Sequence, residues 1–214
     1  MESNVPSKER NKVAVYVYIG MRVLVVLSIA AFVLFRDWLD AVNATLILGL
    51  MLLPSLLKHR YKLYLPFELD LAIVSFIFLS LFLGSLRNFY ERFSLWDSIL
   101  HFQSGILLGI VGFVMVYILN EKSPTKLVMS PIFISLFSVC FSLALAVVWE
   151  VYEYAADSWF GYTMQESGLP DTMGDLIVNG VGALIVAVVA FVWMKRRQRL
   201  PFAPKKFKKY ILSE

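Results

Sequence analysis

The sequence has little charge and almost no cysteine. Only 17% of its 214 residues are charged and one is a cysteine, Cys140, whereas 59% are hydrophobic and 15% are aromatic. A single cysteine excludes an intramolecular disulfide and a cysteine metal cluster, and its place in an apolar run predicts a small packing residue. This composition is typical of an integral membrane protein.

Polar stretches long enough to form a soluble domain are also lacking. Several apolar runs are near or above the roughly 18 to 20 residues that cross a bilayer, and almost every residue lies within or beside one of them. We therefore predict an all-α, polytopic membrane helix bundle that forms a single domain over residues 1–214. Six transmembrane helices are expected, at about 13–35, 41–57, 65–84, 96–119, 128–157 and 172–194.

The basic residues are distributed unevenly around these helices. The first apolar run is too long for a secretory signal and lacks a cleavage site, so we expect it to be retained. The N-terminus, the second and fourth loops and the tail at 195–214 then hold 16 Lys and Arg residues, against three in the other loops. This asymmetry predicts that both termini are cytoplasmic. The net charge of +4 therefore reflects topology, and no nucleic-acid partner is expected.

Polar side chains recur at intervals of three or four at one end of each of the last three predicted helices. Such spacing places them on one helix face, and alternating helix directions bring the three faces to the outer side of the membrane. We therefore predict a polar pocket that opens to the outer face. The side chains are Asp97 and His101 on the fourth helix, Glu150, Glu153 and Asp157 on the fifth, and Asp171, Asp175 and Asn179 on the sixth.

The glycines Gly105 and Gly109 continue the polar row of the fourth helix. Small residues at this spacing predict that neighbouring helices approach closely beneath the pocket.

Each polar residue also has a structural interpretation. Glu150 is the hardest to explain in this way, because it lies about 10 Å inside the end of its helix by the rise per residue, where an unpaired charge costs at least about 2 to 3 kcal/mol. The structural interpretations are capping boxes for Ser94 with Asp97 and for Thr172 with Asp175, solvated helix ends for Asp157 and Asp171, and a hydrogen-bonded packing residue for His101.

Several carboxylates in a low dielectric cannot all ionise without a counter-charge. Protons can neutralise them, an arginine such as Arg22, Arg87 or Arg92 can pair with them, or a divalent cation can bind. One imidazole with carboxylates and an amide suits Mg²⁺, Mn²⁺, Ca²⁺ or Zn²⁺ without selecting among them. Arg22 lies inside the first apolar run, which predicts either a partner within the bundle or snorkelling to the interface.

The segments WDSILHFQSGILLG, WEVYEYAAD and DTMGDLIVNGVGA resemble the YjdF-type bacterial inner-membrane family. More distantly, they resemble the VanZ-like family linked to glycopeptide-antibiotic tolerance. The resemblance covers residues from about 65 to 182. It implies a location in the bacterial inner membrane and an outward-facing polar site that handles lipid-linked or envelope headgroups.

The leading hypothesis is a protein that contacts membrane lipids and binds, and in one version processes, a lipid-linked or amphiphilic envelope substrate. In that version a bound cation polarises a phosphoryl or glycosidic oxygen while a carboxylate acts as general base. A proton-coupled transporter and a structural protein whose polar rows join helices are the alternatives. The hypothesis assigns Glu150, Glu153 and Asp157 to catalysis, Asp97, Asp171 and Asn179 to substrate binding, and His101, Glu150 and Asp175 to a divalent cation.

Overall fold

The computed structural model describes residues 12–60, 66–122, 129–165 and 167–197. All regular secondary structure within these ranges is helical. Six helices are long and apolar enough to cross a membrane, which confirms the predicted all-α bundle with six spans. The predicted basic tail lies outside the described residues from position 198 onward.

The chain divides into two compact units, Met1–Phe89 and Tyr90–Glu214. The single domain expected from length stays a prediction. In the first unit, α1 spans Lys12–Leu34, α2 spans Trp38–Arg60, and α3 spans Phe67–Ile77 and continues as a π-helical segment, Phe78–Leu86. The boundary falls within a short helix, α4 (Phe89–Arg92). The second unit contains α5 (Trp96–Lys122), α6 (Pro131–Phe160) and α7 (Leu169–Arg197).

No helix boundary differs from the predicted one by more than three residues. Helix α2 begins and ends three residues beyond its apolar run, and α7 begins three residues before Thr172. Thr172 therefore lies in the first turn of α7 and is not its N-cap, so the capping box predicted for Thr172 and Asp175 is wrong. Helix α6 does have a side-chain cap: the Ser130 hydroxyl accepts a hydrogen bond from the Phe133 amide at 3.3 Å.

The first unit has an apolar core between α1, α2 and α3. Val25, Ala44, Met51 and Val74 are fully buried there, and Phe78 at the start of the π-helical segment extends the same core. In α1 and α2 burial is confined to one side, and the opposite sides expose leucine and valine. That distribution is expected where lipid replaces water as the solvent.

Helices α5 and α7 of the second unit touch through their backbones. A side chain at Gly105 would collide with the backbone oxygen of Asn179, and one at Gly182 would collide with the backbone oxygen of Phe102. The prediction of close approach at Gly105 is thereby confirmed. Gly109 also lies close to α7, because a Cβ there would be 3.2 Å from the Cα of Ala183.

Helix α6 is joined to α5 by buried hydroxyl groups. Ser138 donates to the backbone oxygen of Gly109 at 2.6 Å, and Ser142 donates to that of Gly105 at 3.4 Å. Glycine exposes its carbonyl to such a bond because no side chain stands in front of it. Cys140, on the same helix, is exposed. The prediction that it is a packing residue was therefore wrong.

Candidate functional site

The polar ends of α5, α6 and α7 meet within the second unit. Five of the predicted polar side chains are buried there, with exposed fractions of 7% or less. They are His101 on α5, Glu150 and Glu153 on α6, and Asp175 and Asn179 on α7. Asp97 is partly buried at the edge of this group.

His101 lies between carboxylates from two helices. Its Nε2 is 3.5 Å from Oδ1 of Asp97, one turn earlier on α5, and its Nδ1 is 3.8 Å from Oε1 of Glu150 on α6. Each ring nitrogen therefore faces a different acid. A histidine can bind a metal ion through one ring nitrogen while the other donates to a carboxylate.

Glu150 is the least satisfied side chain in the group. It is 4% exposed, and neither of its carboxylate oxygens has a hydrogen-bond partner among the described residues. Leaving a buried polar atom unsatisfied is costly, more so when the atom is charged. Glu153, one turn further along α6, differs because its Oε1 accepts a hydrogen bond from Nε1 of Trp149 at 2.9 Å.

Two groups of side chains converge closely enough to hold a metal ion. The first contains Asp97, His101 and Asp175, and the second contains His101, Glu150 and Glu153. One ligand atom from each member lies within 4.8 Å of the others. The predicted metal ligands Glu150 and Asp175 thus both lie close to His101, but in different groups, and all three residues of the second group are buried.

Positive side chains do not balance this negative charge in the part of the chain that the structure describes. No lysine or arginine there lies within 4.0 Å of Glu150, Glu153 or Asp175. Arg22, one of the predicted counter-charges, makes its hydrogen bonds to Met51 and Ser55 within the first unit.

Asn179 lies beneath the acids in a hydrogen-bonded network and is fully buried. Its side-chain oxygen accepts from the Ser142 hydroxyl at 3.1 Å, and its Nδ2 donates to the Ser104 hydroxyl at 3.0 Å. Ser104 in turn donates to the backbone oxygen of His101 at 2.8 Å. The sequence predicted a substrate contact for Asn179, whereas its amide here joins α5, α6 and α7. Neither serine stands out in the sequence pattern.

Asp157 has a different environment from the other acids. Its two carboxylate oxygens accept hydrogen bonds from the backbone amides of Met164 and Gln165, at 2.8 and 2.9 Å. The Gln165 side chain then donates to the Thr172 hydroxyl at 2.8 Å. Asp157 is therefore a clamp for the loop between α6 and α7, and the description of it as a solvated helix end was wrong. Asp171 is partly buried in the first turn of α7.

Tyr90, in α4, is a residue that the sequence pattern did not reveal. Burial raises the pKa of its phenol well above the ordinary value, and negative charge at Asp97 and Glu153 raises that pKa further. The phenol therefore stays protonated next to the acids and can donate a hydrogen bond. It lies in a linker without periodicity, so no sequence signal could have found it.

Comparisons with known proteins agree with a membrane location. The family described as "Predicted membrane protein (DUF2238)" matches residues 15–196. A protein of Thermotoga maritima described as "Uncharacterized protein" is 29% identical over 147 residues, which cover 66% of this chain and 70% of the relative. No solved structure matches the chain.

Proposed function

The chain belongs to the DUF2238 family of predicted membrane proteins, and from that premise we propose that its second unit binds a divalent cation together with the headgroup of a lipid-linked or amphiphilic envelope substrate. One observation carries the proposal. The buried carboxylate of Glu150 has no hydrogen-bond partner among the described residues, yet it faces His101 and Glu153 at ligand distance.

Charge balance favours a cation at this position. Asp97, Glu150, Glu153 and Asp175 lie around a single imidazole, and the described lysines and arginines do not pair with the last three. A protonated His101 offsets one negative charge at most. A divalent ion offsets two and also supplies the missing partner of Glu150.

The second group of ligands has the supporting contacts that metal sites require. If Nδ1 of His101 is a ligand, then its Nε2–H is directed to Asp97, and a carboxylate on the second ring nitrogen is the usual way to orient a metal-bound histidine. Trp149 holds one oxygen of Glu153 and leaves the other for the ion. We therefore assign the ion to His101, Glu150 and Glu153, with Asp97 as a positioning residue.

The remaining polar groups suit a phosphoryl-bearing headgroup. A cation held by His101, Glu150 and Glu153 would supply Lewis-acid chemistry for a bound water and for a phosphoryl or glycosidic oxygen. Asp175 is buried and its carboxylate lies within 4.8 Å of ligand atoms of Asp97 and His101, so we assign it as the general base. The protonated phenol of Tyr90 is available as a hydrogen-bond donor. Asp157, predicted as a catalytic residue, has both oxygens engaged by the loop, so we give it no chemical step.

The substrate class rests on the surroundings of the site. Trp159, Phe160 and Tyr162, at the end of α6 next to the clamped loop, are all largely exposed, as aromatic side chains at the headgroup level of a bilayer are. The uneven distribution of basic residues supports the proposal that this end lies on the outer face of a bacterial inner membrane, with both termini cytoplasmic. The distant VanZ-like resemblance points to the same class of envelope headgroup.

Metal analysis of the full-length protein tests the proposal. We expect the wild type, purified without chelator, to contain one divalent ion per chain, and Glu150→Gln to lose most of it while unfolding at a similar temperature. Glu91→Gln removes an exposed carboxylate of α4 and serves as the matched control, with metal content unchanged. A wild type that takes up no Mg²⁺, Mn²⁺, Ca²⁺ or Zn²⁺ on dialysis would falsify the cation site.

A second candidate function is proton-coupled transport. Ser135, Ser138 and Ser142 continue the buried row of α6 away from Glu150, and fifteen residues of helix span about 22 Å. Flux of protons or substrate in proteoliposomes, abolished by Glu150→Gln, would favour this candidate. The hydroxyls of Ser138 and Ser142 donate to glycine carbonyls, which favours a structural role for the row.

A further inference from the structure

The first unit contains a second group of polar side chains, which we call the arginine cluster. It consists of Tyr18 and Arg22 on α1, Ser55 and Lys58 on α2, and Asp70 on α3. The cluster shares no residue with the site in the second unit, and its argument does not depend on the proposed function.

Arg22 is held firmly without a carboxylate. Its Nη2 donates to the backbone oxygen of Met51 at 2.7 Å and to the Ser55 hydroxyl at 3.3 Å. Its guanidinium lies over the ring of Tyr18, 4.0 Å from the ring centroid. Among the described residues no carboxylate lies within 4.0 Å of it, and its buried Nε has no partner there. The side chain is oriented, but its charge is not neutralised.

Asp70, the carboxylate of the cluster, pairs with Tyr18 and Lys58 and not with Arg22. Asp70 is 3% exposed, and its Oδ2 accepts from the Tyr18 hydroxyl at 3.1 Å and pairs with Nζ of Lys58 at 3.6 Å. Its buried Oδ1 has no partner in the described part of the chain. With two cations and one carboxylate, the cluster has a net charge of +1. A charge of this kind among apolar helices is unfavourable unless an anion accompanies it.

The depth of the cluster indicates which anion is available. Ser55 lies five residues before the end of α2 and Asp70 three residues after the start of α3, which is about 8 and about 5 Å from the respective helix ends. In helices that cross a bilayer, this depth corresponds to the boundary between headgroups and acyl chains. The Cα of Arg22 lies deeper, ten residues after the start of α1 and so about 15 Å from it, but its Nη2 extends to the Ser55 hydroxyl. Lys58, with 39% of its side chain exposed, connects the cluster to the surface.

We propose that the arginine cluster binds the phosphate of a membrane phospholipid. Arginine is suited to phosphate because its planar fork donates two parallel hydrogen bonds, and Lys58 adds a mobile point charge. The net charge of +1 matches a phosphodiester, which carries one negative charge, better than a free phosphate dianion. Asp70 positions Tyr18 and Lys58 and limits the site to a single negative charge.

Native mass spectrometry of the full-length, delipidated protein tests this. Phosphatidylglycerol and phosphatidylethanolamine carry the phosphodiester, whereas diacylglycerol lacks it, and inorganic phosphate is added as a competitor. We expect one phospholipid of either class to bind saturably, and diacylglycerol not to bind. Arg22→Gln should weaken phospholipid binding about 10- to 100-fold, because charged hydrogen bonds are lost. Arg22→Lys should recover part of that loss.

Arg60→Gln is the matched control, because it removes an exposed charge from the same end of α2 and should leave binding unchanged. Competition by millimolar inorganic phosphate would assign the cluster to the free anion instead of the lipid. Equal weakening by Arg22→Gln and Arg60→Gln, or equal binding of diacylglycerol, would overturn the proposal. If Arg22→Gln does not fold, the wild type still decides the question, since phosphatidylglycerol must raise its unfolding temperature and diacylglycerol must not.

Discussion

Replacing Gly105 with alanine tests whether the contact between α5 and α7 fixes the position of the acidic site. A Cβ at this position would collide with the backbone oxygen of Asn179, and a backbone atom cannot turn aside as a side chain can. Overpacking of this kind costs about 1 to 3 kcal/mol. The higher helix propensity of alanine returns about 0.5 to 1 kcal/mol, so we expect a net loss of stability of up to about 2.5 kcal/mol.

Gly174→Ala is the matched control, because Gly174 lies in α7 and a Cβ there meets nothing within 4 Å. It should be neutral or stabilising by up to about 1 kcal/mol. The assay is equilibrium unfolding of both variants in the same detergent, followed by their cation affinity. The displacement of Asn179 at Gly105→Ala should also weaken cation binding, since Asn179 is connected through Ser104 to the backbone of His101. Equal stability and affinity in the two variants would refute the reasoning.

Two further predictions concern the edge of the site. Asp97→Asn should weaken cation binding about 10- to 100-fold in equilibrium dialysis, as loss of an orienting carboxylate does, while Glu91→Gln should not. Tyr90→Phe should make stability less sensitive to alkaline pH. Because the folded pKa of Tyr90 is raised, the folded state retains a proton that the unfolded state loses above about pH 10. Wild-type stability should therefore fall above that pH, measured by unfolding at a series of pH values.

The six spans were predictable because a helix is the only way for an isolated segment to satisfy its backbone in lipid, and hydropathy reports directly on it. The start of α7 was not predictable from hydropathy, because Leu169 and Pro170 directly follow the polar loop and yet belong to the helix. The proximity of Glu150 and of Asp175 to His101 followed from helix periodicity, although the two acids belong to different groups.

Residues outside that periodicity could not be found from the sequence. Tyr90 reaches the acids from a four-residue helix, and Trp149, which is not part of the polar row of its helix, donates to Glu153. The partners of Arg22 could not be predicted from the sequence either. Its charge within an apolar run predicted a partner, but the partners are a backbone carbonyl, a serine hydroxyl and an aromatic ring. Only packing between helices decides among such alternatives.

The glycine contacts also determine which parts of the second unit can move. Gly105 and Gly182 place the backbones of α5 and α7 against each other, so sliding or separation would create a clash or a gap, and we expect these two helices to move together. Helix α6 is joined to α5 by the hydroxyls of Ser138 and Ser142, which can exchange one acceptor for another. Any motion that admits a ligand to Glu150 should therefore be a displacement of α6 against a fixed pair, with the loop clamped by Asp157 moving along with it.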